Sequence, residues 1–462
     1  MDCRQRRRTG RSCRTGESDD AVESTPTQYG DGCALPRPPE APLKDVEHPD
    51  ARVMAREAGL AVLVGVAAAA IPIALFETVR AVADLLYVRV PHALGFAGDS
   101  RWWIAVVLTV AGVGVGSIVR LAPGHGGRDS ATAGLIGPPI PLSALPSLLA
   151  ATVLALGAGA SLSPENVLIS VNAAVAVWVV ARLRPAVASE RVIVLATAAT
   201  IGVQFGTPIA APLVYLELTG RPVRGNLWDV LLMPLVAAGT GTVTMAVLHR
   251  PVLTIDVPGS WSTTLPDVLG GVAIASATAV VVLGAVYGYR GLHTLFHRVR
   301  NPVLMTGLGG VVLGVLGALG GPQSMFKDVE TMRSLVSTAP EMSVPRLVVV
   351  GLCSLAAFTV AAASGFRGGR VIASAVVGVN AGLTAHALVP SVPVTLAVAC
   401  AVLGAVVVAV RSCWLGIFIP AAMVGSVSVL PVLCVAVLPV WLLVTNRPTM
   451  TIRERRGPPD ER

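Results

Sequence analysis

Long apolar runs, separated by glycine, proline or a few charged residues, repeat along most of this 462-residue chain. Between Ala55 and Thr445 they recur too often, and run too long, for the core helices of a soluble protein. Taking charge, Gly and Pro as punctuation, the pattern predicts helical spans over 57–89, 102–121, 141–160, 165–182, 190–219, 226–248, 265–297, 303–320, 345–363, 371–388, 393–411 and 414–445. The spans at 57–89 and 265–297 exceed the ~20 residues that cross a bilayer, so both are expected to tilt steeply. Others, such as 165–182, are short and bounded by Gly or Pro, the mark of broken helices that meet near a midplane site. Alternation in segments of about ten residues is missing, which excludes a β-barrel. The fold class predicted is therefore an all-α, polytopic membrane protein.

Two halves, 57–219 and 265–445, each open with a very long helix. Ser170-Val-Asn-Ala-Ala in the first resembles Gly378-Val-Asn-Ala-Gly in the second, which suggests inverted-topology repeats. The expected domains are a disordered cytoplasmic extension over 1–54, a membrane domain over 55–450 and a short cytoplasmic tail over 451–462. The extension is rich in Arg, Pro, Asp, Glu, Ser and Thr, with no apolar run able to nucleate a core. It is no signal peptide, because the basic stretch Met1–Arg14 leads into polar residues.

Composition narrows the function. Hydrophobic residues make up 53% of the chain and charged residues 13%, against about 25% charged in a soluble domain; mean hydropathy is +0.72. The net charge of +8 comes from arginines at the ends and in short loops. It points to positive-inside topology with both termini cytoplasmic, and to a plasma-membrane location without nucleic-acid partners. Cys353, Cys400, Cys413 and Cys434 lie in apolar runs, and Cys3, Cys13 and Cys33 lack metal-ligand spacing, so neither disulfides nor a metal or cofactor site is expected. No nucleophile elbow or Walker motif is present, and the chain does not read as an enzyme.

Glu165 is the residue that stands out. It follows Gly157-Ala-Gly-Ala-Ser-Leu-Ser163-Pro164 and precedes Asn166, between apolar runs. A carboxylate at such depth costs roughly 2.5 kcal/mol or more unless it faces protein, water or an ion. Pro164 suits the first turn of a helix, and the small residues before it allow close backbone approach. The segment reads as a helix start within the membrane, its free N–H groups favouring an anion. A carboxylate that simply caps a helix at a loop edge is the plainer alternative.

A second break, Ser364-Gly-Phe-Arg-Gly368-Gly369-Arg370-Val371-Ile372, would expose amides at the start of the 371–388 span. No acid occurs from Met342 to Arg453 to pair locally with Arg367 or Arg370, which favours a mobile anion there; a basic loop obeying the positive-inside rule is the alternative. A third break, Leu121-Ala-Pro-Gly-His-Gly-Gly-Arg128-Asp129-Ser130, is not a phosphate-binding loop, and His125 reads as a capping or hydrogen-bonding residue rather than a metal ligand. Gly112-Val-Gly-Val-Gly116 and the small-x3-small run Gly307–Gly314 read as helix–helix contacts. Glu217 ends an apolar run, where snorkelling to the interface would account for it.

These breaks, in this order, resemble the CLC family of chloride channels and chloride/proton antiporters from about Arg56 to Met450. Ala158–Asn166 is similar to the family's Gly-Arg/Lys-Glu-Gly-Pro segment, whose glutamate gates the anion path. Ser364–Ile372 is similar to the segment carrying Gly-x-Phe-x-Pro, and Gly126–Ser130 stands in place of the Gly-Ser-Gly-Ile-Pro loop. The resemblance implies a homodimer with one pore per subunit, a chloride-like anion as substrate, and Glu165 as gate. It assigns anion contacts, through backbone or hydroxyl, to Ser163, Asn166, Gly368, Gly369, Arg370, Val371, Ile372 and, secondarily, Ser130. There are departures. Ala373 replaces the motif proline, Met450 stands where many members have a tyrosine, and Leu218 stands where proton-coupled members carry a second glutamate. A one-residue shift would put Glu217 on that proton route. Gly416-Ile-Phe-Ile-Pro420 repeats the literal motif two helices too late. The other functions in play are a proton- or cation-coupled carrier of another substrate, which the 4% aromatic content disfavours, and a non-transporting scaffold, which Glu165 disfavours.

Overall fold

The computed structural model describes residues 51–137, 140–220, 226–248, 253–255, 257, 264–325 and 329–452. Most of the expected extension, and residues 453–462 of the tail, lie outside these.

Helix α1 (Ala51–Asp84) runs on through a π-helical turn (Leu85–Arg89) into α2 (Val90–Leu94). It is followed by α3 (Arg101–Leu121), α4 (Leu145–Gly157), α5 (Glu165–Leu183), α6 (Ser189–Phe205), α7 (Ala210–Thr219) and α8 (Leu227–Leu248). The second half consists of α9 (Leu265–Phe296), α10 (Pro302–Gly320), α11 (Val329–Thr338), α12 (Val344–Ala363), α13 (Val371–Leu388), α14 (Val394–Val410), α15 (Cys413–Val424) and α16 (Leu430–Val444). Among the described residues, nine helical stretches are long and apolar enough to cross a membrane.

Two expected spans prove to be pairs of helices. The run 190–219 breaks after Phe205, where Gly206 takes a left-handed φ of 65° ahead of Thr207-Pro208. The run 414–445 breaks at Gly425, with φ 63°. In both places glycine closes the helix with a conformation that costs other residues energy, a common C-terminal cap. Helix α11 is amphipathic rather than apolar, which is why hydropathy alone passes over it.

The packing repeats between halves. Helix α1 packs on α6 and α8 as α9 packs on α14 and α16, and α5 lies on α6 as α13 lies on α14. Helix α8 thus takes the place in the first half that α16 takes in the second. The halves meet along α3 and α10. There Gly112 lies against Thr306 and Gly310, Gly314 against Ala105, and Thr306 Oγ1 donates to the Gly112 carbonyl at 2.7 Å. Both glycine runs are thus faces of one close crossing, as small residues permit. Helix α14, nearly all of it buried, forms the centre of the second half.

The internal repeat has a different register from the one the sequence suggests. Glu165 and Val371 open α5 and α13, and Ser163 pairs with Gly369 in an isolated antiparallel bridge. Both pairs are 206 positions apart, which sets Asn172 opposite Gly378, not Asn380. Their surroundings differ accordingly. Asn172 donates to Ala68 O and Thr200 Oγ1, whereas the side-chain amide of Asn380 is buried with no hydrogen-bond partner among the described residues.

Candidate anion site

The site forms where the two broken-helix entries meet. Each entry turns on a glycine six positions ahead of its helix, Gly159 with φ 87° and Gly365 with φ 85°. That conformation is open to glycine and strained for most residues. The entries then run antiparallel: Ser163 N–H donates to Gly369 O at 3.2 Å, and Gly369 N–H returns a bond to Ser163 O. Pro164 sits at the N-cap of α5, one place earlier than a first-turn proline, and Glu165 is the first helical residue.

Glu165 is completely buried. Its carboxylate reaches across to the start of the opposite half's helix. Oε1 accepts from the Val371 amide at 2.5 Å and from Ser163 Oγ at 2.8 Å, and Oε2 has no hydrogen-bond partner among the described residues. The same Ser163 Oγ accepts from Ala373 N at 3.3 Å. Glu165 thus holds the positive end of α13, the helix of the opposite half, where an unpaired amide attracts an anion. Gly369 makes room for it, since a Cβ there would overlap the Glu165 carboxylate.

The other predicted contacts separate into groups. The amides of Gly369 and Val371 are occupied by Ser163 and Glu165, while Ile372 is buried in the first turn of α13. Asn166 and Gly134 line two small cavities. One, of about 160 Å³, also takes in Leu218, Arg370, Val371 and Thr451; the other, of about 30 Å³, takes in Arg128, Ser170 and Gly368. Ser130 is buried, but its hydroxyl is directed at Phe366 O (2.5 Å) and Gly368 O (2.9 Å), so it braces the second break.

Both arginines have partners within the protein. Arg367 is buried and pairs with Asp129 at 3.6 Å, and it donates to Gly126 O (2.9 Å), His125 O (3.2 Å) and Gly365 O (3.3 Å). A search confined to neighbouring sequence misses this acid, because it comes from the third break, in the other half. Arg370 donates to the carbonyls of Met450 and Ala133 (2.7 Å to the latter). Glu217 does not snorkel either. It accepts from Ser412 Oγ and from Cys413 N at 2.8 Å, and so caps α15. The motif-like Gly416–Pro420 run lies inside that helix.

His125 adopts φ 52°, its Nδ1 3.1 Å from Val119 O, the hydrogen-bonding role expected for it. Asp129 also meets His297, with Oδ2 3.1 Å from Nε2. Burial would raise the Asp129 carboxyl, but His297, Arg367 and the Ala131 amide together hold it below the ordinary carboxylate range. In turn the bond to Asp129 raises the His297 imidazole above an ordinary histidine. Sequence reading passed over this acid–histidine contact. Its one local signal is the four-residue spacing of His293 and His297, which puts both on one helix face.

The family model described as "Voltage gated chloride channel" matches residues 108–442. The "Putative ion-transport protein YfeO" of Escherichia coli (strain SMS-3-5 / SECEC) is 40% identical over 415 residues, 90% of this chain and 99% of that protein. The protein of the same name from Escherichia fergusonii matches to the same extent. Two solved structures share the fold. A CLC-type fluoride/proton antiporter is 20% identical with a TM-score of 0.65, covering 87% of this chain and 98% of its own. A slow cyanobacterial Cl−/H+ antiporter is 16% identical with a TM-score of 0.71, covering 87% and 96%.

Proposed function

This chain belongs to the voltage-gated chloride channel family, and on that premise we propose that it conducts small inorganic anions, chloride first among them, past Glu165 acting as a tethered gate. The observation that carries this reading is the Glu165 carboxylate on the Val371 amide. A side-chain anion bound at a helix start occupies a place that a mobile anion can take when the side chain is protonated or displaced. Asn166, Gly368, Arg370 and Val371 border the adjoining cavities and would meet the ion there. Backbone dipoles hold a partly dehydrated ion without binding it too tightly for release. Transport in this reading is channel-like or loosely proton-coupled, and the protein is not an enzyme.

The working form is a homodimer with a separate path in each subunit, set in the plasma membrane with both termini cytoplasmic. Residues 1–54 and 451–462 serve as an extension and tail to the transporting domain. Anion efflux from liposomes containing the purified protein, with pH followed alongside, tests the proposal. Glu165-dependent chloride efflux is expected. The absence of any anion flux from folded protein would leave a non-transporting member of the family.

A further inference from the structure

Outside the anion site, Asp129, His293 and His297 bring their ligand atoms within 4.8 Å of one another. They come from both halves: Asp129 from the loop after α3, and the histidines from the last turn of α9 and the residue beyond it. We propose that this trio is a binding site for a divalent transition-metal ion such as Zn²⁺, bridging the loop of the first half to the α9 end of the second.

The donor geometry carries the inference. His297 Nδ1 is 3.0 Å from the carbonyl of His293. A carbonyl only accepts, so Nδ1 bears a proton, and in the neutral ring Nε2 is left as a lone pair. That lone pair faces Asp129 Oδ2 at 3.1 Å. Two acceptors at this distance need a positive charge between them. The Asp129 carboxylate is already divided, because Oδ1 takes the Ala131 amide at 3.3 Å and the Arg367 pair, leaving Oδ2 for a ligand. A backbone carbonyl on the far nitrogen is also the usual way a metal-binding imidazole is oriented.

A proton on His297 would satisfy Oδ2 but would leave His293 unexplained. The His293 ring stacks on His297 at 3.7 Å between centroids, and its Nε2 is shielded from solvent with no hydrogen-bond partner among the described residues. A metal ion engages all three groups. Two imidazoles and one carboxylate, with water in a fourth position, suit Zn²⁺ at about 2.0–2.2 Å per bond. Reaching those bonds requires rotation of the stacked His293 ring toward the other two groups and a small opening of the 3.1 Å Asp129–His297 contact to admit the ion. Both histidine side chains are accessible enough to allow this.

Titration of the full-length protein with Co²⁺, and with Zn²⁺ in competition, tests the site. Cys3, Cys13 and Cys33 are first blocked with N-ethylmaleimide so that thiolates do not compete. One Co²⁺ per chain is expected, with ligand-field absorption bands, and His293→Ala or His297→Ala should each weaken binding at least about tenfold. Zn²⁺ should also raise the thermal unfolding temperature of the wild type and leave the double histidine variant unmoved. Equal affinity in the folded double variant, or no saturable binding by wild type, overturns the proposal; the latter would make His297 an imidazolium partner of Asp129 and nothing more. If Asp129→Asn fails to fold because Arg367 loses its partner, the histidine variants still decide.

Discussion

The Glu165 carboxylate accepts the Val371 amide at 2.5 Å, although 206 residues separate them and each begins a different helix. An acid from one half therefore closes the helix start of the other, and the contact is the same interaction that would attract a free anion. Replacing Glu165 by glutamine removes the charge but keeps the shape. A neutral amide competes poorly with chloride for a helix N-terminus, so Glu165→Gln should give anion efflux that no longer varies with external pH. Liposome efflux at several pH values measures this. Wild-type pH dependence in the variant would remove Glu165 from the gate.

Gly369 gives the steric counterpart. A Cβ at this position would overlap Oε1, Cδ and Cγ of Glu165 rather than an empty ion path. Gly369→Ala should therefore expel the carboxylate from the Val371 amide and raise flux toward that of Glu165→Gln. The two changes should not add, because both release the same contact. Additive effects in the double variant, or a blocked path in the folded single variant, would separate Gly369 from the gate.

Much of this arrangement was legible in the sequence because it is written locally. Apolar length, the glycine breaks and a lone acid between them located α5, α13 and Glu165. What the sequence withheld depended on contacts between the halves. The partner of Arg367 is Asp129, 238 positions earlier in the chain (367 − 129), so an acid-free stretch from 342 to 453 is no guide to it. Glu217 resembled an interface residue, yet it caps a helix that starts at Cys413. The breaks at Gly206 and Gly425 were hidden by apolar residues on both sides, since hydropathy does not register a left-handed glycine.

Arg367 ties the third break to the second by its ion pair and three carbonyl contacts. Arg367→Met keeps most of the side-chain volume but takes the guanidinium away from those carbonyls and from Asp129, which keeps only the Ala131 amide and His297. Removing one member of a buried pair typically costs on the order of 3 kcal/mol. Thermal unfolding in detergent should show clear destabilisation, whereas Arg128→Met, at an exposed neighbour, should change little. Equal stability of the two variants would mean that the Arg367 network contributes nothing to holding the breaks together.

Proton coupling is expected to be absent or loose. Leu218 lines the cavity of about 160 Å³ beside Asn166 and Arg370, and leucine cannot carry a proton. Glu217, one residue earlier, is turned about 100° around the helix and is engaged with Ser412 and the Cys413 amide at the start of α15. Its role there is a cap, so Glu217→Ala should cost about 1 kcal/mol of stability with anion selectivity unchanged. With no acid at 218 to relay protons toward Glu165, reversal potentials across a planar bilayer should follow the Nernst value for chloride. A chloride gradient should likewise drive no uphill proton movement into sealed vesicles. Proton pumping at a fixed ratio would contradict this. Its loss in Glu217→Gln, with anion flux spared, would then return Glu217 from cap to proton carrier.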